Sequence, residues 1–333
     1  MASTANNANL ISSLTTDFNV TPYYDDFNSG DKDFYRILFK PGYAVQAREL
    51  TQIQSMTQSQ IFRFGKHVFQ EGSIVIPGQY HFKMNIGDTK GLNLNYVKIK
   101  NTNGAGDSVN VDDFLNITVT GQTSGLQAVP EVVLDTDGTD ANTKTLYFSS
   151  YNNASEADPT IRVFQNGETL TSNNGSCVVV DSGATGYGSW FEIEEGVVFA
   201  KDHFVSFGTQ STILERYNPN PTCKVGFYIT EDIINAAQDT SLLDPALEAS
   251  NYAAPGADRL KLTATLNVRP YEDTEGAPNF VTLFTVKNGV VQISNEKTQY
   301  NILGDTLAER TYQESGDYIV KGYNVNKIGR AHV

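Results

Sequence analysis

Leu260-Lys261-Leu262-Thr263-Ala264-Thr265-Leu266-Asn267-Val268 alternates apolar and polar residues with strict period two. Successive side chains of a strand point to opposite faces, so this run reads as a strand with one apolar face. The same reading continues outward from it. Phe280 to Val286, Asn288-Gly289 and Val290 to Ile293 have the pattern of a hairpin closed by a favoured turn dipeptide. Trp190 to Phe207 reads as another hairpin, turning at Lys201-Asp202. Between the two, the Thr230 hydroxyl can cap Glu231-Asp232-Ile233-Ile234 and the acids suit a positive first turn, so a short helix is expected there.

The 333 residues suggest about two domains or one large β-rich one. Hydrophobic residues are 39% and charged residues 19%, and Asn, Thr, Ser, Gly and Tyr fill the shortfall, as in chains of many short strands and turns. From Asn101 to Ala200, 14 acidic residues stand against Lys144 and Arg162, so this stretch carries −12 of the total −14. Phe114 to Val119 and Val132 to Leu134 read as strands within it, bounded by turn-forming residues. The stretch reads as an acidic, loop-rich β insertion.

A long helix is expected from about Val45 to Phe64. Leu50, Ile53, Thr57, Gln60 or Ile61, and Phe64 recur at three and four residues, a stripe sufficient for an intramolecular core, and Gly65 supplies the stop. The other faces carry Gln46, Gln52, Gln54, Gln58 and Gln60 with little charge. Glutamine hydrogen-bonds without the desolvation cost of an ion, so such a face suits burial against another chain; an ordinary solvated face stays open. The candidate interface residues are Gln46, Gln54, Gln58, Leu50 and Ile53. A final helix is expected from about Thr306 to Glu314, stopped by Gly316. The fold class expected is mainly β with a few helices (α+β). Its parts are an extended arm over 1–44, broken at Thr21-Pro22 and Lys40-Pro41-Gly42, a helix plus strands over 45–100, the acidic β insertion over 101–185, and a β-rich domain with short helices over 186–327.

Charge and motifs exclude several functions. With 24 basic against 38 acidic residues there is no basic footprint for a phosphate backbone, so neither nucleic acid nor an anionic membrane surface is an expected partner. The longest apolar runs, Cys177 to Val180 and Val197 to Ala200, fall far short of the roughly 20 residues of a spanning helix. Met1 to Val20 has neither the basic nor the apolar region of a secretory signal. Cys177 and Cys223 read as free, partly buried thiols. His67, His81, His203 and His332 form no metal-binding helix pair, and His67 and His203 read as partly exposed strand residues. Asp135-Thr136-Asp137-Gly138-Thr139-Asp140 departs from the calcium-hand pattern and reads as an exposed acidic turn. Glu192, Glu194 and Glu195 read as an acidic strand edge rather than a sugar-hydrolysing pair. No nucleophile elbow, phosphate-cradling loop or dinucleotide fingerprint is present. No catalytic residue, cofactor or metal is therefore expected.

Asp17-Phe18-Asn19-Val20-Thr21-Pro22-Tyr23-Tyr24-Asp25-Asp26-Phe27, then Phe34 to Gly42 and Gln46 to Gln54, resembles the opening of a family of virion structural proteins of tailed phages, common in myoviruses of marine cyanobacteria. The resemblance resumes at Tyr217 to Ile229, Leu242 to Pro245, Asn251 to Leu260 and Leu307 to Tyr318, and covers about half the chain. It implies a particle component in the tail baseplate or where fibres join it, assembled in the host cytoplasm, with other tail or baseplate proteins and copies of itself as partners. It implies no catalytic residues. Ile328-Gly329-Arg330-Ala331-His332-Val333 is what a widely used sequencing adapter encodes in frame, so 328–333 reads as an adapter-derived tail replacing the family's further sequence. The expected function is a non-enzymatic tail structural protein. The alternative is a host-surface glycan-binding or carbohydrate-degrading tail protein using a groove in Asn101 to Ala200.

Overall fold

The computed structural model describes residues 14–27, 34–76, 78–84, 94–135, 143–152, 162–272, 279–294, 307, 309–314 and 316. Helix α1 (Ala47–Val68) leads into β1 (Ile74–Ile76), β2 (Tyr80–Lys83) and β3 (Leu94–Lys100). The middle of the chain forms β4 (Val119–Gly121), β5 (Gln127–Ala128), β6 (Val132–Leu134), β7 (Thr143–Phe148), β8 (Tyr151–Asn152), β9 (Thr169–Ser172) and β10 (Gly175–Val178). After these come β11 (Thr185–Ile193), β12 (Gly196–Ala200), β13 (His203–Phe207), β14 (Gln210–Glu215), β15 (Cys223–Ile234), β16 (Arg259–Pro270), β17 (Phe280–Lys287) and β18 (Val290–Ser294). The chain is mainly β, in several sheets.

The period-two run lies in β16, where Ala264 and Leu266 are buried on either side of the exposed Thr265. It pairs antiparallel with β15 over twelve residues, from Cys223 opposite Pro270 to Ile234 opposite Arg259. That ladder overturns the short helix expected at Thr230, because Ile233 and Ile234 are held opposite Leu260 and Arg259 and cross-strand pairing outweighs a local cap. A four-stranded sheet results, in the order β16-β15-β17-β18. Both turn dipeptides adopt the positive φ that a tight hairpin needs, Asn288 and Gly289 at 50° and 74°, Lys201 and Asp202 at 51° and 62°. The second hairpin is β12-β13 alone; Trp190 to Ile193 belongs to β11, which pairs elsewhere.

One core lies between the four-stranded sheet and strands β11 to β14, around Phe191, Val198, Phe207, Val225, Phe227 and Phe284. A second gathers Ile99, Phe114, Leu146, Phe148, Phe164, Leu170 and Cys177 from the acidic middle of the chain. Leu94, Tyr96, Tyr147 and Trp190 form a smaller cluster on β3, β7 and β11. Strand β11 pairs through its first half with β3 and through its second half with β2 and β14. Within the middle stretch, Val111–Phe114 is a 3-10 turn capped by Asn110, so only Val119 of the expected strand Phe114 to Val119 is one. Cys177 and Cys223 are free thiols, fully buried in different cores.

Helix α1 continues through Gly65 to Val68. A Cβ at Gly65 would stand 2.7 Å from the Phe199 ring, so this glycine serves close approach of helix and hairpin and is not a stop. His67 lies in the last helical turn, not in a strand. At the carboxyl end residues 309–314 are helical, and the Gly316 N–H donates to the Tyr312 carbonyl at 2.8 Å. Thr306 and 328–333 lie outside the described residues.

Candidate interaction surface

The helix packs the opposite way from the sequence expectation. Its buried residues are Met56, Ser59, Phe62 and Gly65, with Gln52, Ser55 and Gln58 half-buried beside them. The stripe assigned to an internal core faces outward instead: Leu50 is 53% exposed, Ile53 40%, Ile61 42% and Phe64 68%. Small side chains explain the inversion. Gly65 lets the helix approach Phe199 and Phe204 of the β12-β13 hairpin, and the buried Ser59 hydroxyl donates to the Met56 carbonyl, so the polar group is satisfied in place.

Of the candidate interface residues, Leu50, Ile53 and Gln54 are exposed together. Gln46 is the N-cap, closing a capping box in which its N–H donates to the Glu49 carboxylate at 2.8 Å, and its side-chain oxygen accepts from Arg48 Nε at 2.7 Å. Gln58 is turned inward, donating to the Asp202 carbonyl at 3.5 Å. It belongs to the intramolecular contact and leaves the outward set.

The arm is strapped across this region by hydrogen bonds between residues distant in sequence. Thr15 and Thr16 donate from both N–H and hydroxyl groups to the Glu231 carboxylate at 2.7–3.1 Å. Lys201 Nζ lies 3.3 Å from the same carboxylate, each side chain being 4% exposed. Burial would raise the Glu231 pKa, yet the bonds from Thr15 and Thr16 bring it down to about 2. Tyr23 donates to Asp258 at 2.6 Å, and that bond and the adjacent carboxylate push its phenol up. Ser55 donates to Asp25 and Gln52 to Asp26, tying the arm to α1.

The strap fixes only part of the arm. Phe34, Tyr35, Leu38, Tyr43 and Val45 are 54–76% exposed, beside the outward stripe of α1 in sequence. Scattered exposed apolar residues are ordinary, but large ones concentrated in one short stretch of chain are the mark of a contact surface. A cavity of about 220 Å³ lies between arm and helix, lined by Asp26, Phe34, Ile37, Arg48, Glu49 and Met56.

Several other acidic residues are engaged one by one. Glu168, 4% exposed, accepts from Gln165 N at 2.6 Å, Ser124 N at 3.0 Å and Ser124 Oγ at 3.1 Å. Glu131 accepts from Lys83 and Ser149, and although burial opposes it these bonds lower its pKa. Asp135 pairs with Lys144 at 2.7 Å; the rest of its acidic turn lies outside the described residues. Glu194, at the β11 edge, meets His81 at 3.1 Å with both side chains more than 40% exposed. Among the described residues no group of three His, Cys, Asp or Glu could hold a metal ion, and no helix is long and apolar enough to cross a membrane.

A family model described as a domain of unknown function (DUF4815) matches residues 21–154 and 148–332, nearly the whole chain. The chain belongs to the DUF4815 family. No curated protein and no solved structure matches it. In this DUF4815 chain the match takes in the arm from residue 21, α1, both cores and the β15-β16 ladder. The anchors Thr15, Thr16, Glu231 and Asp258 escaped sequence reading because the partners stand more than 200 residues apart and no local motif marks them.

Proposed function

We propose that this protein is a non-enzymatic structural component of a tailed-phage virion, working in the tail baseplate or at fibre attachment through protein–protein contacts. The observation that carries the proposal is the outward apolar face of α1 with the apolar arm residues beside it, on a chain whose arm is already fastened to the body. Such a face has a use when another surface covers it, and a fastened arm presents it in one geometry. The long helix near the amino end is, in this reading, the docking element, and the acidic β region projects from the attachment point. The resemblance of the arm and helix sequence to virion proteins supports the same assignment, as do the blocks Asp17 to Phe27 and Asn251 to Leu260, which meet through Tyr23 and Asp258.

The test is assembly. Replacing Leu50 and Leu38 by Asp should leave thermal unfolding of the isolated protein within error yet sharply reduce its incorporation into particles. Normal incorporation would refute the proposal. The competing reading, a glycan-binding or carbohydrate-degrading tail protein, would instead show specific binding on a glycan array, or sugar release abolished by Glu192→Gln.

A further inference from the structure

The outward stripe of α1 has a symmetry of its own. At 100° per residue, Leu50, Ile53, Thr57, Ile61 and Phe64 fall within an arc of about 80°, with Thr57 at its middle. Thr57 is also the midpoint along the helix axis. Ile53 and Ile61 lie four residues to either side of it, and Leu50 and Phe64 seven to either side. Read from its centre, the stripe is the same in both directions: small, then Ile, then a large apolar residue.

Charge follows the same plan. Glu49 lies on one flank of the stripe near the helix start, and Arg63 and His67 lie on that same flank near its end. The opposite flank carries Thr51 and Gln54 and no charge, and beyond them Gln58 turns to the hairpin. When two such helices cross antiparallel about a two-fold axis through Thr57, like flanks meet. Glu49 then faces Arg63 and His67 of the other copy, Ile53 packs on Ile61, and Leu50 packs on Phe64. In a parallel pairing unlike flanks meet, so Glu49, Arg63 and His67 would all face the uncharged flank of the other copy and find no opposite charge. The helix dipoles also oppose favourably in the antiparallel arrangement.

We propose that this face binds a second copy of the same chain, as an antiparallel helix pair with its two-fold axis at Thr57. An isologous contact requires a self-complementary patch, and a palindromic stripe with complementary ends is one. Four turns of helix against four turns bury on the order of 1,000 Å² in total, near the lower bound for a specific interface, so a reversible dimer is expected. The proposal deepens the structural-protein reading and rests on it, because it names the first partner of the docking face.

Cysteine cross-linking tests it on the full chain, since the native thiols are buried and do not compete. Thr57→Cys should cross-link to itself on mild oxidation. Leu50→Cys alone should not, because the two Leu50 positions lie about 21 Å apart in the pair, whereas Leu50→Cys mixed with Phe64→Cys should. Self-cross-linking of Leu50→Cys alone and of Phe64→Cys alone would mean a parallel pair and overturn the proposal, as would a monomer by light scattering with no cross-link at any position. Ile53→Asp should raise the dimer dissociation constant at least 30-fold with unfolding unchanged, and an unaffected dimer would place the contact elsewhere and overturn it. Incorporation into particles is read separately. A chain that enters particles without these cross-links refutes the helix pair alone, and one that cross-links but never enters particles refutes the virion reading alone.

Discussion

Glu231→Gln should release the amino-terminal arm. The carboxylate accepts from Thr15 and Thr16 and stands 3.3 Å from Lys201 Nζ, with its side chain 4% exposed. Glutamine keeps one acceptor oxygen and turns an NH₂ toward groups that are themselves donors. A hydrogen bond to a charged group contributes about 1.5–3 kcal/mol, and breaking a buried ion pair from one side costs about 3–5 kcal/mol. Because an arm can open without global unfolding, we take about 2–3 kcal/mol for the local equilibrium, or roughly a 30- to 150-fold rise in the open population. Thermolysin cleavage beside Phe18 should accelerate by that factor when reclosing is fast relative to cutting, while Tyr23, Asp25 and Asp26 still hold the rest of the arm. The sign with pH follows from the depressed pKa: the folded value is about 2 against an ordinary 4.5. The anchor is therefore fully present above pH 4.5 and is lost progressively as pH falls toward 2. Wild-type cleavage should rise over that window, measured with an acid protease, and the variant's should stay nearly flat. A variant cut at the wild-type rate, with the same acid dependence, would show that Glu231 does not hold the arm.

Gly65→Ala should destabilise by about 1–3 kcal/mol despite the better helix propensity of alanine, because its Cβ meets the buried Phe199 ring at 2.7 Å; thermal or urea unfolding decides the sign. Glu168→Ala should cost about 3 kcal/mol or more by leaving the Ser124 and Gln165 donors buried without their acceptor, read as a lower urea midpoint at constant slope. Burial pushes both thiols up to about 12, so neither Cys177 nor Cys223 should react with a thiol reagent at pH 8 until the protein is unfolded, when both should titrate.

The sequence carried the β elements whose signal is local. The alternation in β16 and the two turn dipeptides needed no distant partner to be read, since period and positive φ are properties of a few adjacent residues. The strand end at Thr230 to Ile234 was misread because its residues suit a helix start, and what makes them a strand is the opposite edge at Arg259 to Thr263. The helix shows the same limit in another form. Periodicity locates the apolar stripe at Leu50, Ile53 and Phe64, but it cannot say whether the stripe meets this chain or another one. Here Met56, Ser59, Phe62 and Gly65 are buried, Gly65 against the Phe199 ring, and Leu50, Ile53 and Phe64 are left outside. The glutamine face expected to meet a partner is divided: Gln58 faces the body and Gln54 faces outward. The anchors of the arm were illegible for a simpler reason, because Thr15 and Glu231 are joined only by the fold.

Under the proposed function the chain is built into a phage particle. Purified virions of a phage encoding it, washed free of lysate and examined by quantitative mass spectrometry with antibody labelling in the electron microscope, test it most directly. A fixed copy number per particle and label confined to the tail end are expected. Absence from washed particles, with the chain found only in the soluble lysate, would contradict it.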